Sequence, residues 1–579
     1  MTNKSIAGIL KETASLIDLT GGNPFRSRAF SGAARTIERL EEPVDELLKA
    51  GTLTEIQGIG TGLADQIGEL LERGSFGVRD DLMGAIPPGL LDVLSVKGLG
   101  AKRVRILWQT LAVQTLDDLE TAAITGRIET LSGFGARSQS TILENLSALR
   151  AYRKQRHYAN AFASASVLLE RLRACPSVRR AEFAGDLRRS METVSSIDLV
   201  VNPGGGAGME SLEEITGPLH ELPDDARQSR FGGIMDDGLP LVIHPAEETN
   251  FGTILFLQTG SSSFVEAWIS AFGNPDSVPD ERDIFRAAPA VFVPPELRED
   301  AEAVADARIT GGASGMTDHR AHRFQQLIEV ADLKGSLHNH STYSDGAHSL
   351  SEMAGAARAM GLSYFGICDH SRSLKIAHGL PVEEVYRQQE EIRALNERYA
   401  GDDGSEFRIF SGIESDILAD GSLDYPDGVL ATFDFVVASI HTRFNMTESE
   451  ATDRIVRAIA NPFTSILGHP TGRLLLRREG YPINHSAVLD ACSEFGVSVE
   501  LNANPYRLDL DWRWIRAAIE RGVLVAINPD AHAIDQLPYV QWGVSVARKA
   551  GLSAGECLNA LTLEAFTDWI SHGSSKGIR

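Results

Sequence analysis

Apolar positions along the chain change period twice. Through residues 1–150 they recur at helical spacing, beginning with MTNKSIAGILKETASLIDLT, whose Lys11, Glu12 and Asp18 leave one apolar face. Three stretches in this region share the order apolar–x–Gly–apolar–Gly followed by an apolar-periodic helix: IQGIGTGLADQI (56–67), SVKGLGAKRVRIL (95–107) and LSGFGARSQSTIL (131–143). A helix is expected over about 155–174. The β-branched run Ile197–Val201 and LPLVIHP (239–245) then read as strands. ITGGASGMTDHR (309–320) is Gly-, Ser- and Thr-rich and reads as a linker. From about residue 335, strands ending in polar residues alternate with helices. The strands are YFGICDH, FRIFSGIESD, FDFVVASIHT, TSILGHP, VSVELNA and VLVAINPDAH; helices are expected at 350–360, 382–399, 449–460, 486–495 and 511–520. That rhythm predicts an α/β domain on a largely parallel sheet, of the barrel kind.

Composition narrows the classes. A chain of 579 residues with 43% hydrophobic content has room for several cores. It has no run of 18 apolar residues, and its amphipathic start is not a signal peptide, so neither membrane span nor secretion is expected. Cys175, Cys368, Cys492 and Cys557 lie too far apart for a Cys-based zinc site, which fits a reducing cytoplasm. The net charge of −24 argues against a protein that coats DNA along its whole surface. Residues 1–150, however, hold 16 Lys+Arg against 19 Asp+Glu, so the acidity sits mostly later.

The chemistry gathers where strands end. SLHNHSTYSDGAHSL (336–350) holds His338, His340, Asp345 and His348, in a chain with 15 histidines. Further on, His370, Glu414, His441, His469, Asp530 and His532 each terminate a predicted strand. In a closed barrel those ends converge on one mouth. A single histidine at a strand end is most often a hydrogen-bonded structural residue. Nine imidazoles and carboxylates at equivalent ends (His338, His340, Asp345, His370, Glu414, His441, His469, Asp530 and His532) instead suit two to three divalent ions of Mn2+, Zn2+ or Fe2+. Such clusters activate water and clamp the oxygens of a phosphate ester. The Gly-x-Gly turns can present backbone N–H groups to a phosphate without reading a base.

LHNHSTYSDG, ICDHS, GIESDIL, SIHTRF, GHPTGRLLLRREGY, ELNANPYRLDLDW and NPDAHAIDQL closely resemble the PHP (polymerase and histidinol phosphatase) domain, in the form carried by bacterial family X DNA polymerases. NPFRSRAFSGAARTI, AGDLRRSMETVSSIDLVV and VPPELRED resemble the start of that family's helical domain, its palm and the end of its thumb. The glycine turns resemble helix-hairpin-helix elements. The resemblance implies a multidomain chain: a helical domain with one helix-hairpin-helix (1–80), a fingers-like helical domain with two (81–150), an α+β nucleotidyltransferase-like palm (151–250), a thumb (251–315), a linker (316–334) and an irregular α/β PHP barrel (335–579). It implies a trinuclear site. His338, His340, Glu414 and Asp530 would serve one ion, Glu414, His441 and His469 a second, and Asp345, His370 and His532 a third. Arg443 and Arg473 would hold a substrate phosphate, and Gly58, Gly60, Gly98, Gly100, Lys102, Arg103, Gly133 and Gly135 would meet the DNA backbone, with Lys97, Arg105 and Arg137 nearby.

The same resemblance exposes losses. Family X palms use three aspartates. Here Asp198 stands at one position, Ser196 at the second and Val242 at the third, with Asp186 and Asp237 the nearest alternative carboxylates. One carboxylate cannot hold two octahedral magnesium ions, so no Mg2+ is expected at the palm. Gly62 and Gln66 occupy the positions where some family members carry a Schiff-base lysine. The implied protein is therefore a metal-dependent 3′→5′ exonuclease of DNA repair, cytoplasmic and nucleoid-associated, acting on gapped or 3′-ended DNA with its polymerase activity lost. The rival readings are a gap-filling polymerase with displaced ligands, a small-molecule phosphatase like histidinol phosphatase, and a non-catalytic DNA-binding scaffold.

Overall fold

A computed structural model describes all residues except 2, 39, 41, 205–207, 223–229, 237, 310–322, 402–406 and 574–579. The Gly/Ser-rich stretch at 309–320 therefore falls almost wholly outside the described residues, as does Asp237. The chain divides into two compact units, Met1–Arg153 and Lys154–Arg579.

The first unit is helical throughout. Ile6, Leu10 and Ile17 of the opening helix Asn3–Thr20 join one core with Phe30, Ile67 and Phe76, while Leu16 and Leu19 of the same helix join a second with Val104, Leu107 and Leu146. The helices Thr61–Arg73, Ala101–Leu111 and Ala136–Arg153 each follow one of the glycine repeats. Gly58, Gly98 and Gly133 take φ of +94°, +86° and +84°, the left-handed backbone that glycine adopts without a Cβ penalty.

The second unit begins with the helix Tyr158–Ala174 on a five-stranded sheet. Its strands are β1 (Val178–Phe183), β2 (Ile197–Pro203), β3 (His220–Glu221), β4 (Phe231–Ile234) and β5 (Pro240–Pro245), in the order β1-β2-β5-β4-β3. The central pair β2 and β5 is parallel, with Asp198 in register with Val242. The next segment is built on an aromatic core around Phe256, Trp268 and Phe285. Arg298 is fully buried there; it donates to the Val293 carbonyl (2.9 Å) and pairs with Glu281 (2.8 Å).

The remaining sheet has seven parallel strands: β6 (Gly335–Ser336), β7 (Tyr364–Ile367), β8 (Arg408–Asp416), β9 (Phe435–Ser439), β10 (Ile466–Leu467), β11 (Ser498–Asn502) and β12 (Val525–Asn528), running in order from β6 to β12. A parallel bridge from Asn339 to Ala531 brings the two edges together, so the sheet is a nearly closed barrel. Side chains alternate across each strand. Tyr364, Phe410, Phe435, Val437 and Ala526 form an interior cluster, and Ile413, Val436, Val499, Leu501 and Ile527 face an outer one. Phe566 of the last helix (Leu563–Gly573) closes the interior cluster by stacking on Tyr364, centroids 4.7 Å apart. Gly366 and Gly412 leave room for the Phe435 ring, whose Cζ would lie 2.6 and 2.5 Å from an added Cβ at these positions.

Moving two residues at a time toward the C-terminal end explains the mouth of the barrel. Phe410–Gly412–Glu414, Phe435–Val437–Ser439–His441 and Ala526–Asn528–Asp530 each pass from an apolar residue, through a small or polar one, to a candidate ligand. Helices on the outside begin at well-made caps: Ser349 with Glu352 and Thr447 with Glu450 form reciprocal capping boxes.

Candidate metal centre

Glu414 is the hub of the mouth. Its Oε1 lies 2.9 Å from His469 Nε2, 3.0 Å from His441 Nε2 and 3.4 Å from His338 Nε2, and its Oε2 lies 2.8 Å from His370 Nδ1. Asp530 Oδ1 is 3.1 Å from His340 Nε2 and 3.8 Å from His338 Nε2. Asp345 Oδ1 completes the outer side, 3.3 Å from His532 Nε2 and 3.5 Å from His370 Nε2. All nine candidate ligands thus meet in one place. The tightest groupings are His340, Asp345, His370 and His532; His338, His340 and Asp530; and His370, Glu414 and His441. These differ from the partition that the resemblance implied, since His340 and His370 each sit between two groups. His348 stands apart from the cluster; its Nδ1 accepts from the Ile534 N–H at 3.4 Å.

The donor set fits divalent cations. His338 Nε2 and Glu414 Oε2 are buried and take part in no hydrogen bond, a costly state for polar atoms unless an ion satisfies them. Burial runs inward from the mouth: the Asp345 and His532 side chains are a third exposed, and His338 and His340 are closed off.

Charge follows the same geometry. Burial works against ionisation of Glu414, but the imidazoles of His441, His338 and His370 hold its carboxyl well below the usual range. Asp345 is brought down to about 2 against its own burial, chiefly by His532 and His370. Burial, with the nearby His532 and His370, lowers His340 to about 3. Against their burial, Glu500 and Glu414 raise His338, Glu414 and Asp416 take His441 to about 10, and Asp345 and Asp530 take His532 to about 9, so cations held by neutral imidazoles would displace protons from these three.

Three further carboxylates orient these groups, and the sequence reading gave none of them a role. Glu500 accepts from His338 Nδ1 (2.7 Å), Asn528 Nδ2 (2.9 Å) and the His469 N–H (2.7 Å). Asp416 Oδ1 lies 2.6 Å from His441 Nδ1. Asp369 gathers Ser341 N–H, Ser341 Oγ and Gln388 Nε2 at 2.8, 2.7 and 2.6 Å, which fixes the loop carrying His340 and Asp345. A carboxylate behind a ligating histidine sets its tautomer and raises its basicity.

Residues 336–502 match the PHP domain family, 1–76 a helix-hairpin-helix domain and 90–147 a SAM-like tandem of helix-hairpin-helix elements. The chain is 32% identical, over 97% of its length and 98% of the relative's, to the DNA polymerase/3′-5′ exonuclease PolX of Bacillus subtilis (strain 168). The chain belongs to the PolX family. Over 38% of its length it is also 29% identical to a probable phosphatase of Thermoanaerobacter sp. (strain X514), covering 88% of that protein, and over 34% it is 30% identical to one of Caldanaerobacter subterraneus subsp. tengcongensis.

Where the resemblance leads one to expect the metal pair of a palm, the carboxylates found are already partnered. Asp198 Oδ1 lies 3.0 Å from His244 Nε2, and Oδ2 accepts from Ser196 Oγ at 2.6 Å. Val242 stands beside Asp198 on the paired strand. Asp186 is held by Arg189 at 2.6 Å, and burial raises its pKa. Among the described residues of 151–250 no set of three metal-binding side chains gathers.

The expected phosphate-holding arginines part company. Arg443, two residues after His441, has left-handed backbone (φ +58°), is exposed, and makes no ion pair or hydrogen bond among the described residues. Arg473 is tied down instead. It donates to the Arg507 carbonyl (3.0 Å) and the Leu508 carbonyl, pairs with Asp511 (2.5 Å) and lies 3.7 Å from Glu192. Its donors serve the fold around residues 507–511. In the helical unit, Arg103 spans two glycine turns, donating to the Gly98 (3.3 Å) and Gly133 (3.2 Å) carbonyls over the Phe134 ring. Lys97, Lys102 and the second glycines of the three turns (Gly60, Gly100 and Gly135) are exposed. No described helix is long and apolar enough to cross a membrane.

Proposed function

We propose that this PolX family member hydrolyses DNA phosphodiesters from the 3′ end at the PHP centre, and that its palm binds DNA without polymerising it. The observation that carries the reading is Glu414, a buried carboxylate with four histidines within 3.4 Å and one oxygen left without a hydrogen bond. His338, His340, Asp345, His370, Glu414, His441, His469, Asp530 and His532 would hold two or three ions of Mn2+, Zn2+ or Fe2+. Bound there, such cations supply charge for the phosphate oxygens and lower the pKa of water. The protein groups do the rest. Glu500 and Asp416 orient His338 and His441, Glu414 bridges the set, and Arg443 meets the incoming phosphate.

The palm reading rests on Asp198, whose two oxygens are already taken by His244 and Ser196. Magnesium demands near-octahedral oxygen ligation and, in phosphoryl transfer, a second carboxylate to share it. The domain limits given above (1–80, 81–150, 151–250, 251–315 and 335–579) are retained as proposed boundaries, and a cytoplasmic, nucleoid-associated role in DNA repair goes with them. The Gly-x-Gly turns of the first unit would hold gapped or 3′-ended DNA by its backbone.

A second reading, a phosphatase of small monoesters, draws on the matches to probable phosphatases; it leaves the first 330 residues without a task. The two separate in one assay. Full-length protein with Mn2+ is offered 5′-labelled DNA and p-nitrophenyl phosphate. A ladder shortening from the 3′ end with slow monoester turnover supports the nuclease; fast monoester turnover with intact DNA overturns it.

A further inference from the structure

Ile376 is the most exposed large apolar side chain among the described residues, 78% open to solvent. A lone apolar residue at a surface is ordinary in itself. What sets this one apart is where the chain holds it. It lies in the loop 371–379, which begins directly after the candidate ligand His370 and returns to it. The Leu380 N–H donates to the His370 carbonyl (2.8 Å), and Ser371 and Leu380 form a parallel bridge. The loop follows strand β7, so it stands at the C-terminal rim of the barrel beside the metal centre.

The loop is firmly held. Ser373 donates its N–H to Asp424 (2.7 Å) and its Oγ to Asp416 Oδ2 (2.6 Å), the carboxylate whose other oxygen meets His441. The Asp416 N–H donates in turn to Ser371 Oγ (2.9 Å). Leu374, Ala377 and Leu380 are buried, and the short turn Lys375–Ala377 leaves Ile376 outside. The two arms of the loop pass so closely that a Cβ at Gly379 would lie 1.9 Å from the Ser371 carbonyl oxygen. A β-branched side chain, stiff at χ1, is thus presented to water on a backbone already ordered, and little entropy is left to lose on contact with a ligand. Other exposed apolar side chains of the barrel are placed differently. Met360 caps the helix Leu350–Ala359, which leads into the opposite end of β7; Tyr386 lies on the outer helix Val382–Gly401; and the Tyr506 ring has His157 edge-on at 4.8 Å.

The neighbours of Ile376 suit a polyanion that also carries apolar faces. Lys375 is exposed and makes no ion pair or side-chain hydrogen bond among the described residues, and Arg372 and His378 are exposed on the same loop, in a chain of net charge −24. A cation beside a rigid aliphatic tip, at the rim of a phosphoesterase centre, matches a nucleic-acid strand: the cation meets backbone phosphate and the aliphatic group enters between bases. We propose that Ile376 packs against the bases next to the 3′ terminus of the DNA, and that Lys375 meets the backbone of the same strand, so that the terminal phosphodiester is presented to the metal centre. This deepens the nuclease reading and rests on it for the reaction.

The test uses full-length protein and two 5′-labelled single strands of equal length, one ordinary and one with abasic tetrahydrofuran units in place of its 3′-terminal nucleosides. Binding is followed by fluorescence anisotropy in EDTA, and KM and kcat in Mn2+, with manganese content per chain measured alongside. On ordinary DNA, Ile376→Ala should bind about ten-fold more weakly and raise KM by a similar factor, the scale of partly burying one large aliphatic side chain. On the abasic strand the variant should differ from the unaltered protein by about two-fold or less, since the bases it would contact are gone. Ile376→Met, long and apolar, should recover most of the loss. Lys375→Ala should weaken binding of both strands and flatten the salt dependence by about one unit. Equal losses on the two strands in Ile376→Ala, or no loss, would overturn the contact with bases. So would loss of manganese from that variant, which would make the loop a support for Asp416. An unchanged salt slope in Lys375→Ala would overturn the backbone contact. Binding that depends on both Ile376 and the bases, in a protein that leaves the 3′ end intact, would refute the nuclease reading and uphold this contact.

Discussion

His338 Nδ1 lies 2.7 Å from Glu500 Oε1, and Glu500 in turn receives the backbone N–H of His469, so one buried carboxylate sets two candidate ligands that follow different strands. Glu500→Gln keeps the shape but removes the charge that fixes the His338 tautomer. We expect metal affinity to fall by about 10–100-fold, the usual cost of losing such a partner. Manganese titration of the apo protein measures this, with circular dichroism as a check on folding; an unchanged affinity would remove Glu500 from the site.

Ser196 and His244 occupy the two carboxylate oxygens of Asp198, and Val242 pairs with Asp198 across the sheet, which is the basis for proposing that this segment does not polymerise. No nucleotide should be added to a primed one-nucleotide gap in Mg2+ or Mn2+. Asp198→Ala should degrade DNA at the rate of the unaltered protein. Template-directed extension that disappears in Asp198→Ala would show a rearranged polymerase site.

The contrast between barrel and palm shows what was readable in the residues. Strand ends carrying His370, Glu414, His441, His469 and Asp530 announced themselves because a parallel strand is a short apolar run with an abrupt polar end. The helices Leu350–Ala359 and Glu448–Ile459 began within a residue of expectation because their capping boxes are local. Glu500 and Asp416 were silent. A carboxylate inside a strand is the same letter whether it faces solvent or a histidine, and its partner lies far along the chain. Arg473 was expected to hold a substrate phosphate, and its ties to the Arg507 and Leu508 carbonyls and to Asp511 could not be read in the chain, since a guanidinium's task depends on which carbonyls the fold brings to it. Strand β1, VRRAEF, was passed over because Arg179, Arg180 and Glu182 hide its pattern; it sits at a sheet edge, where charged side chains are normal.

Arg103 touches the second and third glycine turns at once. Arg103→Ala should weaken DNA binding and flatten the plot of log affinity against log salt by about one unit, with hydrolysis of a small phosphodiester unchanged. Binding isotherms at several salt concentrations decide it. An equal slope would reduce the turns to interhelical connections.

Glu281 is buried between Arg298 and Arg188; burial would raise its pKa, but the two guanidiniums bring it down to about 2 from 4.5. Because the folded value is the lower one, the carboxylate stabilises the fold fully above about pH 4.5 and progressively less as pH falls toward 2. Glu281→Gln leaves Arg298 buried without its counter-charge, at a cost of about 3–5 kcal/mol near neutral pH. Denaturant unfolding of both proteins from pH 7 to pH 3 should show the gap narrowing below pH 4.5. A gap independent of pH would contradict the assignment.

The account stands most directly on the histidines that begin the site. His338→Ala combined with His340→Ala removes two fully buried candidate ligands while leaving the helical unit and palm intact. The double variant should be compared with the unaltered protein on 3′-ended DNA in Mn2+, with folding followed by circular dichroism. The account predicts a folded protein that still binds DNA but no longer shortens it. A folded double variant that degrades DNA at the original rate would contradict it.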